Sequence, residues 1–103
     1  MGQMIKHDDF FFTGPNSLEA FKKYLKLGIK TVVSIYPKQE EYGISRAVLN
    51  FCKKNKIRIV IVARHGMTPN QISNSAAAEA FRLAQKGQKV AVCCYSGGNS
   101  YAE

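Results

Sequence analysis

KTVVSIY, from Lys30 to Tyr36, decides how this chain is read. Four of its seven residues are β-branched, and the apolar run is not broken by polar alternation. That is the signature of a short strand buried on both faces, as in a parallel sheet, and not of a half-wet hairpin. Two further runs repeat it: IRIVIVA at Ile57–Ala63 and KVAVCC at Lys89–Cys94. Upstream, FFFT at Phe10–Thr13 predicts another strand, ended by Gly14-Pro15.

Helical patterns fill the intervals. Asn16 followed by Glu19 three residues later predicts a capped start, with Leu18, Phe21 and Leu25 on one face and Gly28 as the stop. Ile44, Val48 and Cys52 recur every four residues, beside Ala47 and Phe51, and predict a second helix over Lys38–Lys54, with Gly43 shortening its start. RHGMTPNQ reads as a loop, and Ala76–Lys86, with Phe81 and Leu83, as a third helix ended by Gly87. Strands alternating with helices define an α/β class with a mainly parallel sheet flanked by helices, in one domain over residues 1–103. In such sheets ligands bind beyond the carboxyl ends of the strands, which is where the chain leaves Cys94.

Composition narrows the function classes. Hydrophobic residues make up 46% and charged residues 21%, as in an ordinary globule, and no apolar run approaches the ~20 residues of a membrane span. MGQMIKHDDF lacks the apolar centre of a signal peptide, and the three cysteines lack disulfide-framework spacing. The expectation is a cytoplasmic protein with reduced thiols and no membrane partner. With only two histidines and no Cys-x-x-Cys pair, no metal site and no cofactor is expected. The net charge of +8 points to anionic partners, although lysines late in helices also complement helix dipoles. Aromatic residues do not interleave the basic clusters in sequence, which argues against nucleic acid.

The last stretch, CYSGGNS at Cys94–Ser100, carries the chemistry. Tyr95, Ser96, Gly97, Gly98, Asn99 and Ser100 offer successive backbone N–H groups, and the glycines let that backbone close around a small anion. The same field would favour the Cys94 thiolate, the form that attacks. The alternative is a glycine-rich turn beside a buried thiol. Alternation along the strand sends Cys93 into the core, and Cys52 belongs to a helix's apolar face.

The chain resembles the cysteine-dependent protein tyrosine and dual-specificity phosphatases, particularly their small, atypical prokaryotic members. FFTGPNSLEAFKKYLKLGIKTVVSIYP is similar to their opening, KKNKIRIVIVARHGMTPN to the strand before their general-acid loop, with Pro69 on a usual proline, and GQKVAVCCYSGG to their phosphate-binding strand and loop. The resemblance implies Cys94 as nucleophile, Gly97 as the loop glycine, and a phosphorylated protein or small phosphate ester as substrate. It also implies what is missing. The family's Cys-x5-Arg places Ser100 where the arginine belongs, and a Cys-x4-Arg-Ser register places Asn99 there. Cys93 stands for the usual histidine and His65 for the general-acid aspartate. The expected activity is therefore weak or absent.

His65 is either a plain loop histidine or a substitute proton donor. Arg64 is either a surface cation or a replacement for the absent guanidinium, and Arg46 has a weaker claim to that role. A rhodanese-like sulfur carrier with a Cys94 persulfide is the alternative enzyme, although that family's Asp-x-Arg and Gly-His-Ile-x-Gly-Ala signatures are absent. A non-catalytic anion-binding or scaffold protein is the third reading. Only Tyr101, Ala102 and Glu103 follow Ser100, where the resembled family continues with a long helix. The expectation is a shortened chain, or a homo-oligomer in which a second copy covers the exposed sheet.

Overall fold

The computed structural model describes residues 4–35 and 44–94, with Cys94 as backbone only. Five strands and three helices follow in the order β1 (Ile5–Lys6), β2 (Phe11–Pro15), α1 (Leu18–Lys26), β3 (Thr31–Ser34), α2 (Arg46–Asn55), β4 (Arg58–Ile61), α3 (Pro69–Gln85) and β5 (Val90–Cys94). The sheet order is β1-β2-β5-β3-β4. β5 is central and pairs in parallel with β2 and β3, β3 pairs in parallel with β4, and β1 adds an antiparallel edge to β2. The α/β class holds, and the sheet is mixed because of that edge ribbon.

Alternation on the strands divides the core in two. Phe12, Val32, Ala91 and Cys93 face one side, where α1 and α2 supply Phe21, Tyr24, Val48 and Cys52. Val33, Val90 and Val92 face the other, against Ala76, Ala80 and Leu83 of α3. Both faces of the central strands are thus covered, and this is why their sequences read as continuous apolar runs. β4 lies at the sheet's edge, and its residues are exposed or only partly buried, so the double burial expected of IRIVIVA does not extend to it.

Several boundaries differ from expectation. Gly14 and Pro15 belong to β2, in register with Cys93 and Cys94. The chain can run on because β2 donates no ladder bond through the proline nitrogen, and Gly14 lies where nothing larger fits. A Cβ on Gly14 would collide with Tyr24 Oη and lie 3.1 Å from Tyr24 Cζ and 3.3 Å from Met4 Cα. That close approach lets the buried Tyr24 hydroxyl donate to the Pro15 carbonyl at 2.7 Å.

Ser17, not Asn16, caps α1: its Oγ accepts from the Ala20 amide at 3.2 Å. α3 begins at Pro69, seven residues before the expected Ala76, because Thr68 and Gln71 form a capping box and Pro69 occupies the first helical position. The TPNQ of the expected loop is a helix start. Leu83 is buried, whereas Phe81 is 53% exposed, since α3 turns its alanines to the sheet. Cys52 is buried as expected, and Gly28 and Gly87 end α1 and α3 at positive φ. The start expected for the second helix, including Gly43, lies outside the described residues; the described helix begins at Arg46 behind a Ser45 cap.

Gly14→Ala is expected to lower unfolding free energy by about 1–3 kcal/mol, the cost of overpacking. Tyr24→Phe, which loses the hydroxyl's bond to Pro15 and keeps the ring, should cost about 1 kcal/mol. Urea titrations followed by circular dichroism measure both.

Candidate functional site

The parallel strands end on one edge of the sheet. Gly14, Cys93, Ser34 and Ile61 form one register row across β2, β5, β3 and β4. One step further the ladder continues: the Ile35 amide donates to the Cys93 carbonyl and the Val62 amide to the Ser34 carbonyl, each at 3.3 Å. Pro15 is the register partner of Cys94. Cys94 therefore ends the central strand, with β2 on one side and β3 on the other.

The helices also start at this edge, since each runs back toward the next strand's beginning. Ser17, Ser45 and Thr68 cap α1, α2 and α3, each accepting an amide hydrogen bond at 3.2 Å. Three helix amino termini thus turn the positive ends of their dipoles toward the rim that carries Cys94. α3, the longest at 17 residues, starts from the connection that carries Arg64 and His65. The rim suits an anion better than a cation. Among the described residues no cluster of three or more histidine, cysteine, aspartate or glutamate side chains is placed to hold a metal.

The residues singled out in the sequence come only partly together. Arg64 and His65 are exposed in the β4–α3 connection, where the Met67 amide donates to the Arg64 carbonyl at 3.2 Å and Gly66 takes a φ of +89°. They share the rim with Cys94, but β4 is separated from β5 by β3, roughly 10 Å at the usual strand spacing. Either side chain must reach across the end of β3 to meet a group bound at β5. Pro69, matched by resemblance to a general-acid loop, is instead the first residue of α3. Tyr95, Ser96, Gly97, Gly98, Asn99 and Ser100 lie outside the described residues, as does the Cys94 side chain.

Arg46 gains in standing. The periodicity of Ile44, Val48 and Cys52 put it inside a helix beginning near Lys38. In the fold it is exposed in the first turn of α2, directly after the Ser45 cap and on the same rim. Ser45 immediately before an apolar-periodic segment is the cap signal that would have located it.

The other thiols are structural. Cys93 is fully buried against the α1–α2 layer, and Cys52 lies in that layer at 3% exposure. Burial pushes the Cys52 thiol up to about 11, so it remains a neutral packing group.

Comparison with protein-family models and with curated proteins finds no match for this chain.

The raised Cys52 pKa has a consequence for stability. The unfolded thiol ionises near its ordinary value of 9.0 and the folded one near 11. The stabilisation is complete below pH 9 and falls as pH rises through that window, by at most about 2.7 kcal/mol, because the unfolded state then releases the proton first. Cys52→Val should flatten this part of the stability–pH curve between pH 9 and pH 11, measured by urea unfolding at each pH.

Proposed function

We propose that this chain is a cysteine-dependent phosphatase-like protein that binds phosphate monoesters at the carboxyl rim of its sheet and turns them over slowly. One observation carries the reading: Cys94 ends the central parallel strand, on the rim where all three helices begin. Ligands of open α/β sheets collect at that position, and helix amino termini there favour an oxyanion.

In this reaction the Cys94 thiolate attacks phosphorus. A sulfur–phosphorus bond forms as the ester's phosphorus–oxygen bond breaks. The leaving oxygen takes its proton from His65 or water, and a second water hydrolyses the phosphocysteine to inorganic phosphate and free thiol. The amides of Tyr95 to Ser100 are assigned to the equatorial oxygens, with Arg64 or, on a weaker claim, Arg46 as the cation drawn toward them. Lack of a loop guanidinium costs roughly 10²–10³ in rate, by analogy with loss of an oxyanion donor. Lack of an aspartic acid donor costs a further ~10²–10⁴ on substrates with poor leaving groups. Aryl phosphates, whose leaving group needs little protonation, are the substrates on which activity survives.

The purified chain should hydrolyse p-nitrophenyl phosphate slowly and leave glycerol phosphate essentially untouched. Cys94→Ser should reduce aryl phosphate hydrolysis to background. Activity that survives in Cys94→Ser overturns the proposal. Sulfur transfer from thiosulfate to cyanide, with a persulfide on Cys94, would replace it with the rhodanese-like alternative. Phosphate binding without any turnover would leave an anion-binding protein.

A further inference from the structure

Apart from Arg46 and Arg64, the described cations do not gather at the Cys94 rim. They gather at the opposite edge, where strands begin and helices end. Phe11, Val90, Thr31 and Arg58 form the first register row across β2, β5, β3 and β4. The residues just before that row are tied together. The Val90 amide donates to the Phe10 carbonyl at 2.8 Å, the Arg58 amide to the Lys30 carbonyl at 2.7 Å, and Lys89 Nζ to the Leu27 carbonyl at 2.9 Å.

The ends of the three helices and the tight connections after them meet this edge carrying exposed lysines: Lys26 and Lys30 at α1, Lys54 and Lys56 at α2, Lys86 and Lys89 at α3. The four strand starts span roughly 15 Å, and the edge lies about 13 Å along β5 from Cys94.

Cations in the last turn of a helix answer its dipole, which accounts for Lys26 and Lys54. It does not account for Lys30 and Arg58, which stand at strand starts, whereas Lys89 caps the carboxyl end of α1 through its bond to Leu27. The described acids neutralise the group only in part, Glu79 acting on Arg58 and Lys86 as well as on Arg82. Glu79 is held by Arg82 at 2.6 Å, and that bond keeps its carboxyl below the usual range. Asp9 pairs with Lys6 at 3.2 Å, and Asp8 accepts from the Phe10 and Phe11 amides at 2.7 Å, both in the turn before β2 at the far end of the row. Among the described residues, Lys6 and Arg82 are held in ion pairs near this edge.

Beside the lysines stand two exposed aromatic rings. Phe10 is 41% exposed at the start of the row, and Phe81 is 53% exposed on α3, its ring 5.2 Å from that of Phe11. Sequence order hides this pairing of apolar and basic groups; the register creates it.

We propose that this amino-terminal edge docks on an anionic lipid surface, with the lysines against acidic headgroups and Phe10 and Phe81 entering the interfacial region. The chemistry favours lipid over nucleic acid. The cations are almost all lysines, which act as point charges, not the planar arginine forks suited to bidentate phosphate recognition. The exposed rings stand at one flank of the lysines and are not interleaved with them as a base-stacking track would be. No described helix is long and apolar enough to cross a membrane, so the contact is peripheral. The expectation of no membrane partner rested on the lack of a span, and a peripheral contact is a proposal beyond it. Cys94 would face away from the bilayer, and the proposal stands whether or not Cys94 attacks phosphate.

Sedimentation of the whole chain with vesicles at about 0.15 M salt tests it. Binding is expected to phosphatidylcholine–phosphatidylserine vesicles and not to pure phosphatidylcholine. Lys30→Gln, Lys54→Gln and Lys86→Gln should each weaken partitioning about 5-fold, and together on the order of 100-fold. Phe81→Ser should weaken it with no change in charge. Circular dichroism checks the fold of each variant, and the single replacements decide the matter if the triple does not fold. No sedimentation with acidic vesicles, or sedimentation that the lysine variants leave unchanged, overturns the proposal. So does an oligonucleotide that displaces the chain from vesicles at the same salt, which would assign the edge to nucleic acid.

Discussion

Hydrogen-bond ladders on both sides of β5 hold this molecule together. β5 is the last strand in sequence and the middle one in space, inserted between β2 and β3. Until it docks, β2 and β3 have no ladder between them, and each core layer lacks its centre: Ala91 and Cys93 on one side, Val90 and Val92 on the other. A strand that closes two ladders and two cores is buried from Val90 to Cys93, which explains why KVAVCC has no polar residue after its first lysine.

The same insertion separates two poles. Parallel strands share a direction and the helices run against it, so one rim collects helix starts and strand ends while the other collects helix ends and strand starts. At the first rim stand Cys94 and three capped amino termini; at the second stand most of the lysines. The described lysines of this basic chain are therefore concentrated and not spread evenly. The substrate-sized anion proposed for Cys94 would be drawn by backbone dipoles, and a large anionic surface by side-chain charge. These two attractions have different salt dependence, because exposed charges are screened and short-range amide contacts far less so.

The α1–β2 contact shows how local chemistry serves that arrangement. Gly14 and Pro15 look like strand breakers, yet they continue β2 to the level of Cys94 because Tyr24 fills the space where a Gly14 side chain would be and bonds the Pro15 carbonyl. The strand edge beside Cys94 is thus braced by a residue nine positions further along the chain. Composition near Gly14 gives no sign of this, since the constraint comes from a ring on another element.

Strand identity and the apolar helix faces were legible in the amino-acid order. Burial on both sides of a strand forces continuous β-branched runs, and Phe21, Val48 and Cys52 mark their faces by spacing alone. The thiol at a strand's carboxyl end was legible for the same reason. Strand order, however, is set by pairing between segments far apart, and no local pattern encodes that β5 enters between β2 and β3. Nor could spacing reveal that α3 begins at Pro69 and leaves Phe81 in solvent, because the sheet behind it decides which face is buried. Lysines scattered through the sequence became a single charged edge, and Arg64 and His65 fell two strands from Cys94, only when the register was settled. Local preference follows from each residue's neighbours in the chain, whereas the meeting of distant groups follows from how the layers pack.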